Sequence, residues 1–329
     1  MKGCRRRLLS ASLSFLAALA AGAVGASAHA QNYPTHPVRL ISDSAPGSAI
    51  DVTMRIIAQG LSKVWGEQAV VVNQPGAGGA IAAHAAAAAM PDGYTLFMPA
   101  LSAFVALPGE ADNLPIEVPR DFTPIGYLGG APLFITAAPW VGVMTLPELI
   151  ALAKKEPGKL AYGANGVGRL THLTGELLQS RAGIELLMVP YSGGTTAVLN
   201  DMMGRRIALT FDSYSGIAGA VAAGNVRPLA VASLQRLANF PNVPTVAETL
   251  PGFAAVGWQV LVAPAGTPDA IVQRANAALL EVTSAADVRQ RLAQFGREEV
   301  AMSPAQTLVF IQNEQKTWAP IVKRIGAAR

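Results

Sequence analysis

Two glycine-rich turns, one in each half of the chain, each follow a short apolar run and open a helix-forming segment. Residues 70–79 read VVVNQPGAGG and residues 160–168 read LAYGANGVG. A strand that passes into a helix through such a turn leaves peptide N–H groups unpaired at the helix N-terminus. There the free donors and the helix dipole both favour an anion. Two such turns facing one another would form a clamp for a carboxylate or a similar acid.

Other short apolar runs recur at 38–41, 69–72, 94–98, 133–137, 186–189, 207–211, 229–232 and 260–263, each followed by a helix-like segment. Near-continuous apolar strands alternating with helices predict an α/β fold with mainly parallel sheets covered on both faces, and ligand sites beyond the carboxyl ends of the strands. Residues 80–90 are almost pure alanine around His84, a strong helix former stopped by Pro91-Asp92-Gly93. Residues 146–155 predict a helix with Thr145 near its N-cap, Pro147 in the first turn, and Pro157-Gly158 beyond its end. Residues 268–295 and 304–325 are helical by composition, with Asp269 and Pro304 in first-turn positions.

The N-terminus carries an export signal: Lys2, Arg5, Arg6 and Arg7, an apolar stretch over 8–26, and Ala28-His29-Ala30, which predicts cleavage to leave Gln31 first. A membrane anchor is the competing reading of that stretch, and Arg5-Arg6 before Leu8-Leu9 loosely fits a twin-arginine signal. Cleavage removes four of the 25 basic residues and none of the 21 acidic ones, so the remaining chain has 21 of each. A charge near zero gives no support for nucleic-acid binding. The only cysteine, Cys4, leaves with the leader, so neither disulfide nor thiol chemistry is expected in what remains.

The signatures of hydrolases, nucleotide-binding loops and zinc sites are absent: there is no GxSxG, no GxxxxGK[ST], no HExxH and no CxxC. Gly166-x-Gly168 lacks the third glycine of a dinucleotide fingerprint. Of the four histidines, only His172 lies beside a candidate site, where it either orients a loop or does acid–base work. No catalytic residue, cofactor or metal is expected.

Along nearly the whole chain beyond the leader, the sequence resembles the tripartite tricarboxylate transporter receptors, the Bug family of bacterial periplasmic solute-binding proteins. The segments that carry the resemblance are YPTHPVRLI at 33–41, VVNQPGAGG at 71–79, PDGYTL at 91–96, RDFTPI at 120–125, VPY at 189–191, FD at 211–212, PNVPTVAE at 241–248 and LVAPAGTP at 261–268. The resemblance implies a periplasmic, monomeric, two-lobed receptor that closes on a small organic acid and delivers it to inner-membrane permease subunits. It implies a discontinuous first lobe, 31–131 plus 256–329, and a second lobe, 132–255, after a signal peptide at 1–30. Crossover strands near 129–133 and 256–259 would serve as the hinge.

The resemblance also implies the site. In the first lobe, SDSAPGSAID at 42–51 occupies the family's proline-containing loop, with Ser44, Ala45, Gly47 and Ser48 against the ligand and Asp43, where a proline is usual, either a solvated turn residue or a ligand contact. Gly76, Ala77, Gly78 and Gly79 form the carboxylate pincer, or else merely permit tight helix–strand packing, and Ala100 and Ser102 line the same cleft. In the second lobe, Ala164, Asn165, Gly168, Arg169, Thr171 and His172 form the facing turn. Arg169 either pairs with a second ligand carboxylate or points to solvent. Tyr191, Gly193, Gly194 and Thr195 follow, and Asp212 either binds a donor group of the ligand or caps the next helix. Presentation of the ligand to a membrane sensor, and an exported enzyme using His172 with Asp212, are the alternatives.

Overall fold

The computed structural model describes residues 33–76, 79–104, 116–191, 194–294, 297 and 300–327. The export signal, the Gln31 start and three expected ligand residues, Ala77, Gly78 and Gly193, lie outside the described residues.

The first half runs β1 (Val38–Ser42), α1 (Ala49–Trp65), β2 (Ala69–Asn73), α2 (Ala80–Ala87), β3 (Thr95–Met98), the single turn α3 (Leu101–Phe104) and the long β4 (Phe122–Ala137). Next come α4 (Leu146–Lys155), β5 (Ala161–Ala164), α5 (Leu170–Ala182), β6 (Leu187–Pro190), α6 (Gly194–Met203), β7 (Leu209–Ser213), α7 (Tyr214–Ala222) and β8 (Arg227–Val231). The chain returns through β9 (Val256–Pro264) and finishes with α8 (Asp269–Ser284), α9 (Ala286–Ala293) and α10 (Pro304–Ala327).

Two curled sheets result. Parallel pairing joins β1 to β2 and β3 in one, and β5 to β6 and β7 in the other. Parallel strands alternate with helices, and the inner strands β1, β3 and β7 are mostly buried, while the edge strands β2 and β6 are partly exposed. The link between the sheets is antiparallel. Residues 122–132 of β4 pair with β9, from Phe122↔Pro264 to Pro132↔Val256, and residues 133–137 then pair with β7 and β8. One 16-residue strand therefore belongs to both sheets, with irregular register at Pro124/Gly126 and Tyr127/Gly130. Glycine and proline break the ladder there, as expected where a strand bends.

The local signals act as their chemistry dictates. Thr145 caps α4 by accepting the Glu148 N–H, and Pro147 sits in its first turn. The helical stretch predicted as one piece over 268–295 is two helices, because Ala285 is extended (φ −64°, ψ 132°) between α8 and α9. Among the described residues, two large apolar cores stand beside two smaller clusters. One packs α1 and α8 on the first sheet through Leu40, Met54, Ile57, Leu61, Leu261, Leu279 and Val282. The other is continuous from Phe97 and Phe104 through Trp258 to Tyr162, Leu173 and Phe211.

Helix α10 tightens the second core. Its Ile311, Trp318 and Ile325 are buried, and Trp258 Nε1 and Trp318 Nε1 both donate to Glu314 Oε2, at 2.6 and 3.2 Å. Burial of a tryptophan of this kind is worth about 3–5 kcal/mol against truncation to alanine. At the end of α10, Arg324 donates to the carbonyl and, at 3.1 Å, to the carboxylate of Glu176 on α5. Among the described residues, no helix is long and apolar enough to cross a membrane.

Candidate functional site

The loops that follow β1 and β5 face one another. The first turns inward at Ser42, Asp43 and Ser44, all buried. The solvated-turn reading of Asp43 does not hold, since the residue is wholly enclosed, at 0% exposure. Its Oδ2 accepts the Ala100 N–H and its Oδ1 the Ser44 hydroxyl, both at 3.2 Å. Non-local structure overrides the local turn preference, because Ala100 reaches Asp43 from beyond β3, 57 residues away.

Gly79, the N-cap of α2, has φ +107°, and a Cβ there would lie 2.8 Å from Asp43 Oδ2. Only glycine meets both conditions. Its packing places the Asp43 carboxylate beside the N-terminus of α2, the end of the helix that attracts negative charge.

The remainder of the loop is held by a second carboxylate. Asp51, 2% exposed, accepts from Gly47 N, Arg55 Nε and Asn73 Nδ2, each at 2.9 Å, while Asn73 Nδ2 also donates to the Ser44 carbonyl at 3.0 Å. Ser48 caps α1 by accepting the Asp51 N–H at 3.2 Å. Gly47, at φ +79°, makes the turn that brings its N–H onto Asp51. Gly47 and Ser48 thus build the loop, and Ala45 is exposed beside them.

The second loop is pinned by neutral side chains. Asn165 N–H donates to Thr171 Oγ1 at 2.9 Å, and Gly168 N–H to His172 Nδ1 at 3.0 Å. The other ring nitrogen of His172, Nε2, faces Glu176 Oε1 at 3.9 Å. His172 therefore shapes the turn it follows, and it is buried. Gly166 and Gly168 have φ of +124° and +75°, which lets the turn present Arg169 as the N-cap of α5.

Behind this turn lies a polar floor. Asp212 Oδ2 accepts from Thr195 Oγ1 and, at 3.3 Å, from Asn165 Nδ2; Oδ1 accepts the Ser213 N–H at 2.7 Å at the start of α7. Asp212 holds the N–H of Ser213, the N-cap residue of α7, with one oxygen and organises Asn165 and Thr195 with the other. Tyr191 sends its N–H to the Ala164 carbonyl at 2.8 Å and its hydroxyl to Asp201 Oδ2 at 2.6 Å, away from Asp212. Burial, with the bond to Asp201, pushes the Tyr191 hydroxyl up to about 12. Gly194, at φ +68°, begins α6.

The two loops meet through charge. Burial pushes the Asp43 carboxyl above the usual carboxylate range, and Arg169 across the gap is the largest influence favouring its ionised form, ahead of Ala100 N–H and the Ser44 hydroxyl. Arg169 is half-buried. Burial also pushes Asp212 up, against Thr195, Ser213 and Asn165. Asp51 goes the other way: burial would raise it, but Arg55, Gly47 and Asn73 together hold it below its ordinary value.

Of the expected backbone clamp, Ala77 and Gly78 lie outside the described residues, and several of the described N–H groups are engaged within the protein. The N–H of Gly79 donates to the Gly76 carbonyl at 2.9 Å, that of Ala100 goes to Asp43, and those of Gly47, Asn165 and Gly168 go to side chains of their own loops. These peptide donors hold the turns, and among the described residues Arg169 is the cation set near Asp43. The sequence signal for Asp43 is an acidic residue one position beyond the buried strand β1. Among the described residues, no group of three or more histidine, cysteine, aspartate or glutamate side chains is placed to hold a metal.

Residues 53–327 match the family model described as the tripartite tricarboxylate transporter family receptor. The chain is 34% identical to protein BugT of Bordetella pertussis over 311 residues, covering 94% of this chain and 95% of that protein. Its fold matches that of an R. palustris protein solved with adipate, at TM-score 0.79 and 29% identity, over 88% of this chain and 97% of the other. It also matches MatC from Rhodopseudomonas palustris, solved with bound malate, at TM-score 0.75 and 28% identity, over 88% and 100%.

Proposed function

The chain belongs to the tripartite tricarboxylate transporter receptor family, and we propose that it is a periplasmic receptor that captures a small organic acid between its lobes, without turnover, for inner-membrane permease subunits. The lobes are 31–131 with 256–329, and 132–255, following a signal peptide at 1–30. The observation that carries this reading is the half-buried Arg169, offered from the β5 turn towards the buried end of β1. The relatives solved with adipate and with malate support an acid as the ligand class.

The energetics suffice. Hydrogen bonds to a charged group each contribute about 1.5–3 kcal/mol net, and micromolar affinity needs about 8 kcal/mol. Arg169 supplies up to two parallel bonds from its planar fork, and the remainder comes from donors that exchange onto the acid as the lobes close on it. Because the site is complete only when the lobes meet, the acid favours the closed form and the permease reads that shape. Capture without chemistry fits His172, whose Nδ1 is committed to Gly168 N–H.

A thermal-shift screen of the exported protein against small organic acids, each paired with its amide, tests the reading. Acid at 100 times its dissociation constant adds about 2.7 kcal/mol of stability and raises the melting temperature. The amide leaves it unchanged. Equal shifts with acid and amide, or consumption of the acid, would overturn the proposal.

A further inference from the structure

The region where the two loops face one another holds more acidic than basic side chains: Asp43 on the β1 loop and Asp212 near the end of β7 are both buried, and Arg169 is the cation presented to Asp43. Asp43 also occupies ground that suits an incoming carboxylate. It takes the Ala100 N–H, takes the Ser44 hydroxyl, and packs on the Gly79 N-cap of α2. Resting on the acid-capture reading, we propose that Asp43 is a specificity residue that fills the first lobe's carboxylate position from within. The ligand is then a monocarboxylate carrying a cationic or strongly donating group, and not a di- or tricarboxylate.

The argument is one of charge and occupancy. A carboxylate needs donors, and on the first-lobe side the Ala100 N–H and the Ser44 hydroxyl already serve Asp43. A second anion placed there would meet Asp43 at close range in a setting shielded from water, where like charges repel strongly. An ammonium or hydroxyl at the same place gains an acceptor that is fixed in position before the ligand arrives. The ligand's carboxylate then goes to Arg169, whose five N–H donors in a planar fork can serve Asp43 and a second carboxylate together. Asp212, its oxygens already bonded to Thr195, Asn165 and Ser213, adds negative potential to the second-lobe side and disfavours a further anion there.

The test is calorimetric titration of the exported protein with succinate, glutarate and adipate, and with 4-aminobutanoate, 5-aminopentanoate and 6-aminohexanoate. The amino acid series is expected to contain a member that binds at least tenfold more tightly than every diacid, which is about 1.4 kcal/mol. In Asp43→Asn, which keeps the shape and an acceptor for Ala100 N–H, the ratio is expected to fall to within about threefold. The wild-type ratio tests the idea even if the variant does not fold. Diacids binding as tightly as the amino acids, or an unchanged ratio in Asp43→Asn, would overturn the inference and leave acid capture standing. Failure of all six to bind also overturns it, and if no acid in the wider screen binds, the capture reading falls as well.

Discussion

The loop after β1 and the loop after β5 do the same geometric job with opposite chemistry. Both turn a buried strand into a helix through positive-φ glycines, Gly47 in one and Gly166 with Gly168 in the other. The first is pinned by carboxylates, Asp51 on Gly47 N–H and Asp43 on Ala100 N–H. The second is pinned by neutral acceptors, Thr171 on Asn165 N–H and His172 on Gly168 N–H, and carries a cation at its tip. A turn that satisfies its own amides with side chains is rigid before ligand arrives, and its selectivity passes to whatever charge it displays. Here one side displays negative charge and the other positive.

The largest break in this comparison comes from the brace of the first loop. Asp51→Ala strips the acceptor from three donors and is expected to cost about 3 kcal/mol of unfolding free energy in urea titration. Loss of less than 1 kcal/mol would show that the loop does not need this brace. Next is the cation: Arg169→Gln is expected to weaken acid binding by about 100-fold, measured by titration, because a desolvated charged bond is lost. An unchanged dissociation constant would remove Arg169 from the site.

The glycines follow. Gly79→Ala combines an unfavourable φ with a 2.8 Å approach to Asp43 Oδ2 and is expected to cost about 2 kcal/mol, against about 1 kcal/mol for Gly47→Ala, whose Cβ would meet nothing within 4 Å. Equal melting temperatures for the two would mean that Asp43 yields readily to the methyl group.

The smallest effect is a matter of pH, and it separates the two carboxylates of one loop. The folded-state pKa of Asp51 is depressed, so its contribution is present above the unfolded value of about 3.9 and is lost as pH falls through the lower folded value. That of Asp43 is raised, so its ionisation works against folding, increasingly as pH rises from about 4. Denaturant titrations across pH are therefore expected to show Asp43→Asn gaining on wild type as pH rises, and Asp51→Asn losing ground. The same slope for both variants would contradict the assigned directions.

Much of the fold was legible because parallel strands leave uninterrupted apolar runs, and those at β1, β2, β3 and β7 lie within a residue or two of where the sequence puts them. The first part of β4 was not, since Pro124, Gly126, Gly129, Gly130 and Pro132 break any apolar pattern and its pairing partner lies more than 120 residues away. The break at Ala285 has no glycine or proline to announce it. At the site, turn positions and glycines were readable from local spacing. The use of their N–H groups was not, because Thr171, His172 and Asp51 reach back over four to six residues to take them. Nor was the burial of Asp43, which depends on Ala100, Gly79 and Arg169, each brought in by a different element.

Two-sided capture is tested most directly by amide hydrogen exchange with and without a bound acid, read by mass spectrometry over peptides covering 42–48 and 164–172. The account predicts that saturating acid slows exchange in both segments together. Protection confined to one segment, with the other exchanging as in the free protein, would contradict it.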